Sequence, residues 1–380
     1  IMNNHALTNL TGLDNVTHIG YLIMINDNYA LTSLTGLENL TTLNGRIEIE
    51  DCNALTSLSG LDNLNSIAGD FEIRNNNTLT SLTELANLTE VGGNFWIQNN
   101  FNLKNLDGLN SLTEIGGSLL IIGNGSLTSI SGLANISEIQ GGLRIEDNNA
   151  LSHLLGLDNI ASLGGSLTIK KNTTLIDLAG LGNLKTIGGT LLISYNDGLL
   201  SLADLVNIDS INGQLIIVYN NKLACLIGLD NIESGTISHL KIYNNDSLSY
   251  CEVHSVCDYL KGPNGNLLIY GNASGCDSVY EVELACGLVS LEELKNDETV
   301  STFPNPFTTV TTIKYDLTEA SHVQLCIYNA FGQMIGIAIN QEMPRGKHSL
   351  TWNAEHVPPG LYYVVLRSGD GVNVVKLVKQ

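Results

Sequence analysis

The chain has 380 residues, enough for two or three domains, and a formal net charge of −21 with only 17 lysines and arginines. This charge argues against nucleic acid as a partner, because a phosphate backbone requires a basic surface. No apolar run of about 18 residues occurs, so the sequence predicts no transmembrane segment. Only 14 % of the residues are charged, a composition that favours a secreted repeat protein over a cytosolic enzyme.

A 24-residue repeat occupies most of the chain. An isoleucine recurs at this interval from Ile1 to Ile217, and a leucine recurs in step with it from Leu7 to Leu223. A fixed period of this length predicts a stacked solenoid rather than a closed globule. Residues 1–247 are therefore predicted to form about ten coils. Because Ile1 already occupies the strand position of a coil, we expect the earliest coils to be missing from this sequence.

Each coil contains one short alternating stretch, such as Ile47 and Ile49 on either side of Glu48, which is typical of a strand with one buried face. Equivalent strands should lie about 4.8 Å apart, so that each isoleucine stacks on its counterpart. An asparagine follows the isoleucine in every coil except at Cys52, and a buried amide can both donate to and accept from backbone groups. We therefore expect a ladder of asparagines that is weakest at Cys52. A second row, from Asn15 to Asn231, is expected to act in the same way at another corner.

The period slips by one residue after Leu223, because the next leucine in step is Leu248. This slip predicts the end of the coils, and we interpret residues 248–286 as a cap over the open end. The cap contains four cysteines, which are Cys251, Cys257, Cys276 and Cys286. Two disulfides are favoured over a metal site because no C-x-x-C pair is present, and their connectivity stays open. Disulfides would indicate an oxidising compartment.

Residues 287–302 are predicted to be a linker, since the leucine pattern stops there and acidic residues cluster. Residues 303–380 contain short alternating segments separated by turn signals such as Pro358-Pro359-Gly360. Short strands at this spacing predict a small antiparallel β-sandwich.

The last domain also carries an ordered series of motif residues, namely Pro304, Asn305, Pro306, Gly332, Gly346, Gly360, Tyr362, Lys376 and Lys379. With this series it resembles the type A C-terminal sorting domain of the type IX secretion system. The resemblance implies that these residues form the sorting signal and that the type IX machinery is a partner. It also implies export across the outer membrane of a Bacteroidota-type bacterium, removal of the domain, and release or surface attachment of the remainder.

The repeat string L-x-x-L-x-G-L-x-N-L-x-x-I-x-G-x-L-x-I-x-x-N resembles the receptor L-domains, with ordinary leucine-rich repeats as close neighbours. The expected fold is all-β: a right-handed leucine-rich-type β-solenoid with a cysteine-containing cap, followed by the sandwich. The resemblance implies recognition of a ligand without indicating which ligand.

The outward strand positions are the surface on which such a ligand could be read. Trp96, Leu120 and Ile122 are predicted to form an exposed apolar patch beside Arg144, and we interpret these four residues as ligand-binding. The alternative is that they are scattered apolar residues without a function.

Two other clusters have a functional and a structural interpretation. Glu48, Glu50 and Glu72 could place carboxylates at a spacing suited to a retaining glycosidase, but a solvated ion-pair face with nearby arginines is favoured. Tyr195 with Tyr219, and Tyr243 with Tyr270, are expected to stack, and we interpret them as finishing the solenoid end rather than as a sugar-binding ladder.

The sequence thus predicts a secreted or cell-surface, non-catalytic binding or adhesion protein whose ligand is an extracellular protein or glycan. No cofactor and no metal ion are predicted. The alternative is a surface hydrolase whose catalytic part lies upstream or on the acidic strand face.

Overall fold

The computed structural model of the protein describes residues 1–288, 300–329, 334–368 and 371–380. They divide into two compact units, Ile1–Val282 and Glu283–Gln380. The sequence predicts boundaries after residues 247, 286 and 302. The predicted linker, residues 287–302, lies largely outside the described residues.

Short strands and two short α-helices build the first unit and its cap. In chain order the strands are β1 (His18–Ile19), β2 (Leu22–Asn26), β3 (Thr42–Leu43), β4 (Arg46–Glu50), β5 (Ser66–Ile67), β6 (Phe71–Arg74), β7 (Glu90–Val91), β8 (Phe95–Gln98), β9 (Glu114–Ile115), β10 (Leu119–Ile122), β11 (Glu138–Ile139), β12 (Leu143–Glu146), β13 (Ser162–Leu163), β14 (Leu167–Lys170), β15 (Thr186–Ile187), β16 (Leu191–Ser194), β17 (Ser210–Ile211), β18 (Gly213–Val218), β19 (Ile237–Tyr243) and β20 (Leu267–Tyr270). The α-helices are α1 (His254–Leu260) and α2 (Val279–Ala285), and single 3₁₀ turns span Thr83–Leu85, Ser131–Leu133, Ala203–Leu205 and Ser234–Thr236.

These strands form two parallel sheets whose spatial order follows the chain. In the described residues one sheet has eleven strands, from β2 to β20, and the other has nine two-residue strands, from β1 to β17. Ile97 pairs with Ile73 on one side and with Ile121 on the other. This register confirms the predicted β-solenoid. The larger sheet continues beyond the last predicted repeat at Ile217, because β19 and β20 of the cap region add to it.

Leucine and isoleucine side chains fill the interior of the coils. The repeated isoleucines from Ile25 to Ile217 and the repeated leucines from Leu31 to Leu223 are all 0 % exposed. Burying one such side chain contributes about 1.5–3 kcal/mol. Since each coil covers the apolar edge of the next, this contribution is available only to the stack.

A ladder of buried asparagines satisfies the backbone where each strand of the larger sheet ends. The N–H of Asn100 donates to Asn124 Oδ1 at 3.0 Å, and Asn100 Nδ2 donates to the Ile73 carbonyl at 2.9 Å. The same two contacts recur from Asn76 to Asn220. The predicted ladder is therefore confirmed. Each asparagine bonds to the preceding coil through its side-chain amide and to the next coil through its backbone N–H.

Cys52 interrupts this ladder. Its N–H still donates to Asn76 Oδ1 at 3.1 Å, but its thiol reaches the Ile25 carbonyl only at 3.5 Å. Burial raises the pKa of the Cys52 thiol, so the group stays a neutral, weak donor. In an intact coil the backbone N–H at this position donates to an asparagine Oδ1, but the backbone of Asn28 faces the Cys52 sulfur instead.

The second asparagine row has a simpler role than predicted. Asn63 Nδ2 donates to the Glu38 carbonyl at 2.7 Å, and Asn159 Nδ2 donates to the Ala134 carbonyl at 2.6 Å. Ser111 takes the same place in its coil, where its hydroxyl donates to the Ala86 carbonyl. These side chains are mostly exposed, so they form single bonds to the preceding coil and not a buried ladder.

The residue that directly follows each strand of the larger sheet adopts a left-handed backbone conformation. With φ between 54° and 58° this column comprises Asn3, Asp27, Asp51, Asn75, Asn99, Asp147, Lys171, Tyr195, Tyr219 and Asn244. Gly123 and Gly271 occupy it in two further coils. Asn, Asp and Gly tolerate this region, so their recurrence was the available sequence signal. Lys171, Tyr195 and Tyr219 are the exceptions.

The one-residue slip in the repeat is a β-bulge. Gly213 pairs with Ile237 but Gln214 pairs with His239, so Ser238 is the extra residue. In the cap that follows, α1 and α2 flank β20 along the chain.

The cap cysteines are disulfide-bonded. Cys251 bonds to Cys276, with Cα atoms 5.7 Å apart. Cys257 and Cys286 are disulfide-bonded as well. This confirms the predicted disulfides over the metal-site alternative.

Seven strands of the second unit form two antiparallel sheets within the described residues. They are β21 (Ser301–Phe303), β22 (Val310–Leu317), β23 (Ser321–Asn329), β24 (Met334–Met343), β25 (Gly346–Asn353), β26 (Gly360–Ser368) and β27 (Gly371–Lys379). The sheet orders are β21-β22-β25 and β24-β23-β26-β27. Ile313, Leu325, Val364 and Leu377 lie in one core at 0 % exposure, which confirms the predicted small sandwich.

Replacing Cys52 with Asn should stabilise the solenoid by about 1 kcal/mol, the net value of one restored hydrogen bond. The new amide would donate to the Ile25 carbonyl and accept from the N–H of Asn28. Urea unfolding of the full chain measures the change.

The reverse substitution, Asn148→Cys in an intact part of the ladder, is the matched control. It should destabilise the protein by about 1–3 kcal/mol because buried partners lose their amide. If C52N were no more stable than the wild type, Cys52 would not be the weak position of the asparagine ladder.

Candidate functional site

The outward face of the eleven-stranded sheet consists of three columns of side chains. Column one holds the outward residue directly before the repeated isoleucine of each strand, from Met24 to Leu268. Column two holds the second outward residue, from Asn26 to Tyr270. Column three holds the left-handed residue that follows, from Asp27 to Gly271. Because the inward residues are nearly invariant, the coils differ from one another mainly on this face.

One arginine connects three carboxylates in the first coils of the face. Arg74 Nη2 lies 3.4 Å from Glu48 Oε1, 3.3 Å from Glu50 Oε2 and 2.8 Å from Glu72 Oε2. Glu48 and Glu72 are only 6 % and 8 % exposed. The expectation of a solvated ion-pair face is therefore wrong for these two residues, which are buried although they lie on the outward face.

The acidic cluster contains the carboxyl groups of Glu48, Glu50 and Glu72, and only two cations, Arg46 and Arg74, contact them. Burial raises the pKa of Glu72 and of Glu50, while the charge of Arg74 opposes both shifts. A hydrogen bond between Glu50 and Glu48 raises the pKa of Glu50 further. Asn26 Nδ2 donates to Glu48 Oε1 at 2.8 Å, which leaves Asn26 Oδ1 without a partner in the described residues.

The predicted ligand-binding residues lie next to this cluster. Register places Trp96 beside Leu120 in column one, and Ile122 on the same strand as Leu120 in column two. All three are half-buried rather than fully exposed. The guanidinium of Arg74 lies over the Trp96 ring, 5.8 Å from its centroid, a contact worth about 0.5–1 kcal/mol. The patch is thus a preformed apolar surface with a charged border.

Arg144 borders the patch on the other side. It follows Leu120 in column one, and its guanidinium donates to Glu146, with Nε at 2.7 Å from Oε2. Lys170 Nζ lies 2.9 Å from the other oxygen of Glu146. Burial alone would raise the pKa of Glu146, but hydrogen bonds from Lys170 and Arg144 outweigh it and lower the pKa. Arg144 is exposed, so part of its guanidinium edge faces solvent.

Four tyrosines line the last coils of the face. Tyr195 and Tyr219 stack with ring centroids 4.5 Å apart, and Tyr243 and Tyr270 stack at 4.9 Å. Tyr219 and Tyr243 meet edge to face at 5.8 Å, so the two pairs form one continuous row. The repeat pattern predicts the pairs but not the link between them. The bulge at Ser238 moves Tyr243 into column two and creates that link.

Several predicted sorting residues hold the sandwich together. Asn305 Nδ2 donates to the Lys376 carbonyl at 2.6 Å, and the N–H of Val378 donates to Asn305 Oδ1 at 2.9 Å. The hydroxyl of Tyr362, which is 4 % exposed, donates to the Pro358 carbonyl.

The remaining sorting residues are distributed between the interior and the surface. Lys379 is 8 % exposed, and its ammonium group donates to the Val357 carbonyl. The side chains of Pro304, Pro306 and Lys376 are exposed. Gly346 and Gly360 begin β25 and β26. Gly332 lies outside the described residues.

Comparison with known families finds a match within each of the two units. Residues 65–154 and 135–230 match the Receptor L domain. Residues 301–380 match the Secretion system C-terminal sorting domain. The chain joins receptor L-domain repeats to a type IX sorting domain. No curated protein matches the chain.

Both resemblances seen in the sequence are therefore confirmed. The sorting domain marks the protein for export by the type IX system to the cell surface or the extracellular space. In the part of the chain that the structure describes, no helix has the length and apolar character needed to span a membrane.

Replacing Glu72 with Gln should make the stability of the L-domain solenoid less dependent on pH. The folded-state pKa of Glu72 lies above the ordinary value of 4.5, so wild-type stability falls as the pH rises from that value through the folded pKa. The difference in Tm, variant minus wild type, should become more positive between about pH 4 and pH 7.

Thermal unfolding followed by circular dichroism measures this difference. The matched control is Glu138→Gln, since Glu138 is an exposed glutamate of the nine-stranded sheet. A Tm difference for E72Q that stayed constant over this pH range would contradict the proposed desolvation of Glu72.

Replacing Asn305 with Ala should destabilise the sorting domain by about 1–2 kcal/mol, because two hydrogen bonds to β27 are lost. We expect a smaller secreted fraction as a consequence, measured by immunoblotting of cells and medium. Asn340→Ala, at an exposed position of β24, is the control. Lost export with unchanged domain stability would show instead that Asn305 contacts the export machinery directly.

Proposed function

We propose that this protein is a non-catalytic binding or adhesion protein at the surface of a Bacteroidota-type bacterium. Its outward sheet face would recognise an extracellular protein or glycan. The supporting observation is the contrast between the two faces of the same strands. The inward isoleucines repeat unchanged from Ile25 to Ile217, whereas column one changes from Glu72 through Trp96 and Leu120 to Arg144 in four successive coils. A structural scaffold needs the repeated inward residues, whereas recognition of a particular ligand requires outward residues that differ from coil to coil.

The patch formed by Trp96, Leu120, Ile122 and Arg144 has the composition of an interface centre. Tryptophan and arginine are enriched among residues that contribute most to binding energy. The ion pairs of Arg74 and Glu146 form a polar rim on the two sides of the apolar residues. Because Trp96, Leu120 and Ile122 project from a rigid sheet and are already half-buried, binding would order few additional rotamers.

The hydrolase alternative receives less support from the acidic cluster. A retaining glycosidase needs one carboxylate as nucleophile and another as acid, both reaching the same bond of the substrate. Glu48, Glu50 and Glu72 all contact Arg74, and two of them are buried. This sharing weighs against a catalytic pair there.

A triple variant, Trp96→Thr, Leu120→Thr and Ile122→Ser, should lower adhesion at least about tenfold without unfolding the protein. Thr168 occupies column one and Ser194 occupies column two in other coils, so these residue types fit the sheet. Binding of the full chain to matrix proteins, cell surfaces and glycan arrays measures the effect.

The control is Met24→Thr, which makes the same kind of change in column one at a coil outside the patch. Undiminished adhesion of the triple variant on every surface would rule out the patch. Release of products from a glycan panel by the wild type, lost in Glu48→Gln or Glu72→Gln, would favour the hydrolase instead.

A further inference from the structure

The last coils of the outward face carry a second surface whose chemistry differs from that of the Trp96 patch. Lys241 lies between Ile216 and Leu268 in column one. On the same strand, Tyr243 pairs with Tyr270 in column two and contacts Tyr219 of column three. The surface therefore combines one cation with aromatic rings and aliphatic side chains.

Lys241 differs from the other cations of this face in having no carboxylate partner among the described residues. Arg74, Arg144 and Lys170 each contact a glutamate, and Arg46 and Lys171 also have acidic partners. Lys241 Nζ instead donates to Gln214 Oε1 at 2.9 Å. An ammonium group has three donors, so two of them are available to a ligand. A lysine without a carboxylate partner is suited to an anionic group of a ligand, with which it can form a charge-assisted hydrogen bond.

Two of the tyrosines occupy positions where their residue type is unfavourable. Tyr195 and Tyr219 have φ of 57° in the left-handed column, where most coils have Asn, Asp or Gly. A bulky residue in that region costs on the order of 1 kcal/mol. Asn244 shows that the next coil uses the favoured residue type at the same position. The backbone conformation thus disfavours tyrosine at these two positions, and the contacts of the rings better explain why tyrosine is present.

The rings remain partly open to solvent although they stack. Parallel rings with centroids 4.5 Å and 4.9 Å apart are further separated than the contact distance between carbon atoms, about 3.5 Å, so they are offset. Tyr195 and Tyr270 are 42 % and 46 % exposed. Tyrosine offers a large, rigid contact area with a polar tip, at a low cost in conformational entropy.

A sugar chain fits this surface better than a peptide does. β19 is hydrogen-bonded to β18 on one side and to β20 on the other, so no free backbone edge is available at Lys241 for an added peptide strand. Recognition must therefore use side chains alone on a flat face. A pyranose ring presents a flat C–H surface to aromatic rings, and a uronic acid adds a carboxylate at the edge of that ring.

We propose that Lys241, Tyr219, Tyr243 and Tyr270 bind an acidic glycan. The C–H faces of its sugar rings pack on the tyrosines, and a sugar carboxylate accepts a hydrogen bond from Lys241 Nζ. This site is separate from the Trp96 patch, so the triple variant of that patch should bind the glycan as the wild type does.

The test uses the full chain and oligomers of galacturonate, guluronate and glucuronate, with binding measured by calorimetry. At least one acidic oligomer should bind, and its methyl ester, which keeps the rings but loses the charge, should bind at least tenfold more weakly. Lys241→Met should cause a similar loss, and added salt should weaken binding of the acidic oligomer only.

Tyr219→Asn tests the aromatic contact without endangering the fold. Asparagine is favoured in the left-handed column, so this variant should be at least as stable as the wild type while losing most of its affinity. Lys171→Asn relieves the same backbone strain without removing a ring, and it should keep full affinity. Together the two variants separate ring contacts from backbone effects.

Four results would each overturn the proposal. They are failure of every acidic oligomer to bind, equal binding of the acid and its ester, unchanged affinity in K241M, and unchanged affinity in Y219N. Binding of polyglutamate with no binding of the sugars would also overturn it, in favour of an acidic protein partner.

Discussion

The buried asparagine amide is the contact on which the coil geometry depends. Where a strand of the larger sheet ends, the chain turns toward the interior and its polar groups lose contact with water. The amide oxygen accepts the N–H of the preceding coil, and the amide nitrogen donates to the carbonyl of an isoleucine there. Both bonds exist only when the coils are in register. The bulge at Ser238 absorbs the extra residue near the start of β19, so that Asn245 and Asn272 continue the ladder.

Much of the fold could be predicted because equivalent residues stack on one another. Equivalent positions in successive coils have the same environment and therefore select the same residue type. The repetition of isoleucine at Ile97 and of asparagine at Asn100 thus predicts that both side chains are buried in the stack. Cys52 was identifiable as a defect for the same reason. The sandwich and its export role depended on motif residues such as Asn305 and Tyr362, and their structural roles became clear only from their bonding to β27 and Pro358.

The outward face was less predictable because its environment is set by unlike neighbours on adjacent coils. The alternation of its strand predicts that Glu72 is solvent-exposed, yet it is buried, with Trp96 beside it on the next coil and Arg74 of its own strand in contact with its carboxylate. The left-handed column was visible as a preference for Asn, Asp and Gly, but φ is needed to show that Tyr195, at the same repeat position, keeps the left-handed conformation. The tyrosine row depended on the bulge. The slip in the period predicts an extra residue around Glu233–Ser238, and the strand pairing places it at Ser238.

The division between invariant and variable positions explains how one rod can carry two different surfaces. Stacking fixes the backbone, so changes in columns one to three alter the surface without altering the register. At about 4.8 Å per coil, five coils separate Trp96 from Ile216 by about 25 Å, with the ion pairs of Glu146 between them. A ligand long enough to reach both surfaces would gain from their fixed spacing, because binding at one would raise its effective concentration at the other. A rigid solenoid therefore favours extended ligands more than its individual patches suggest.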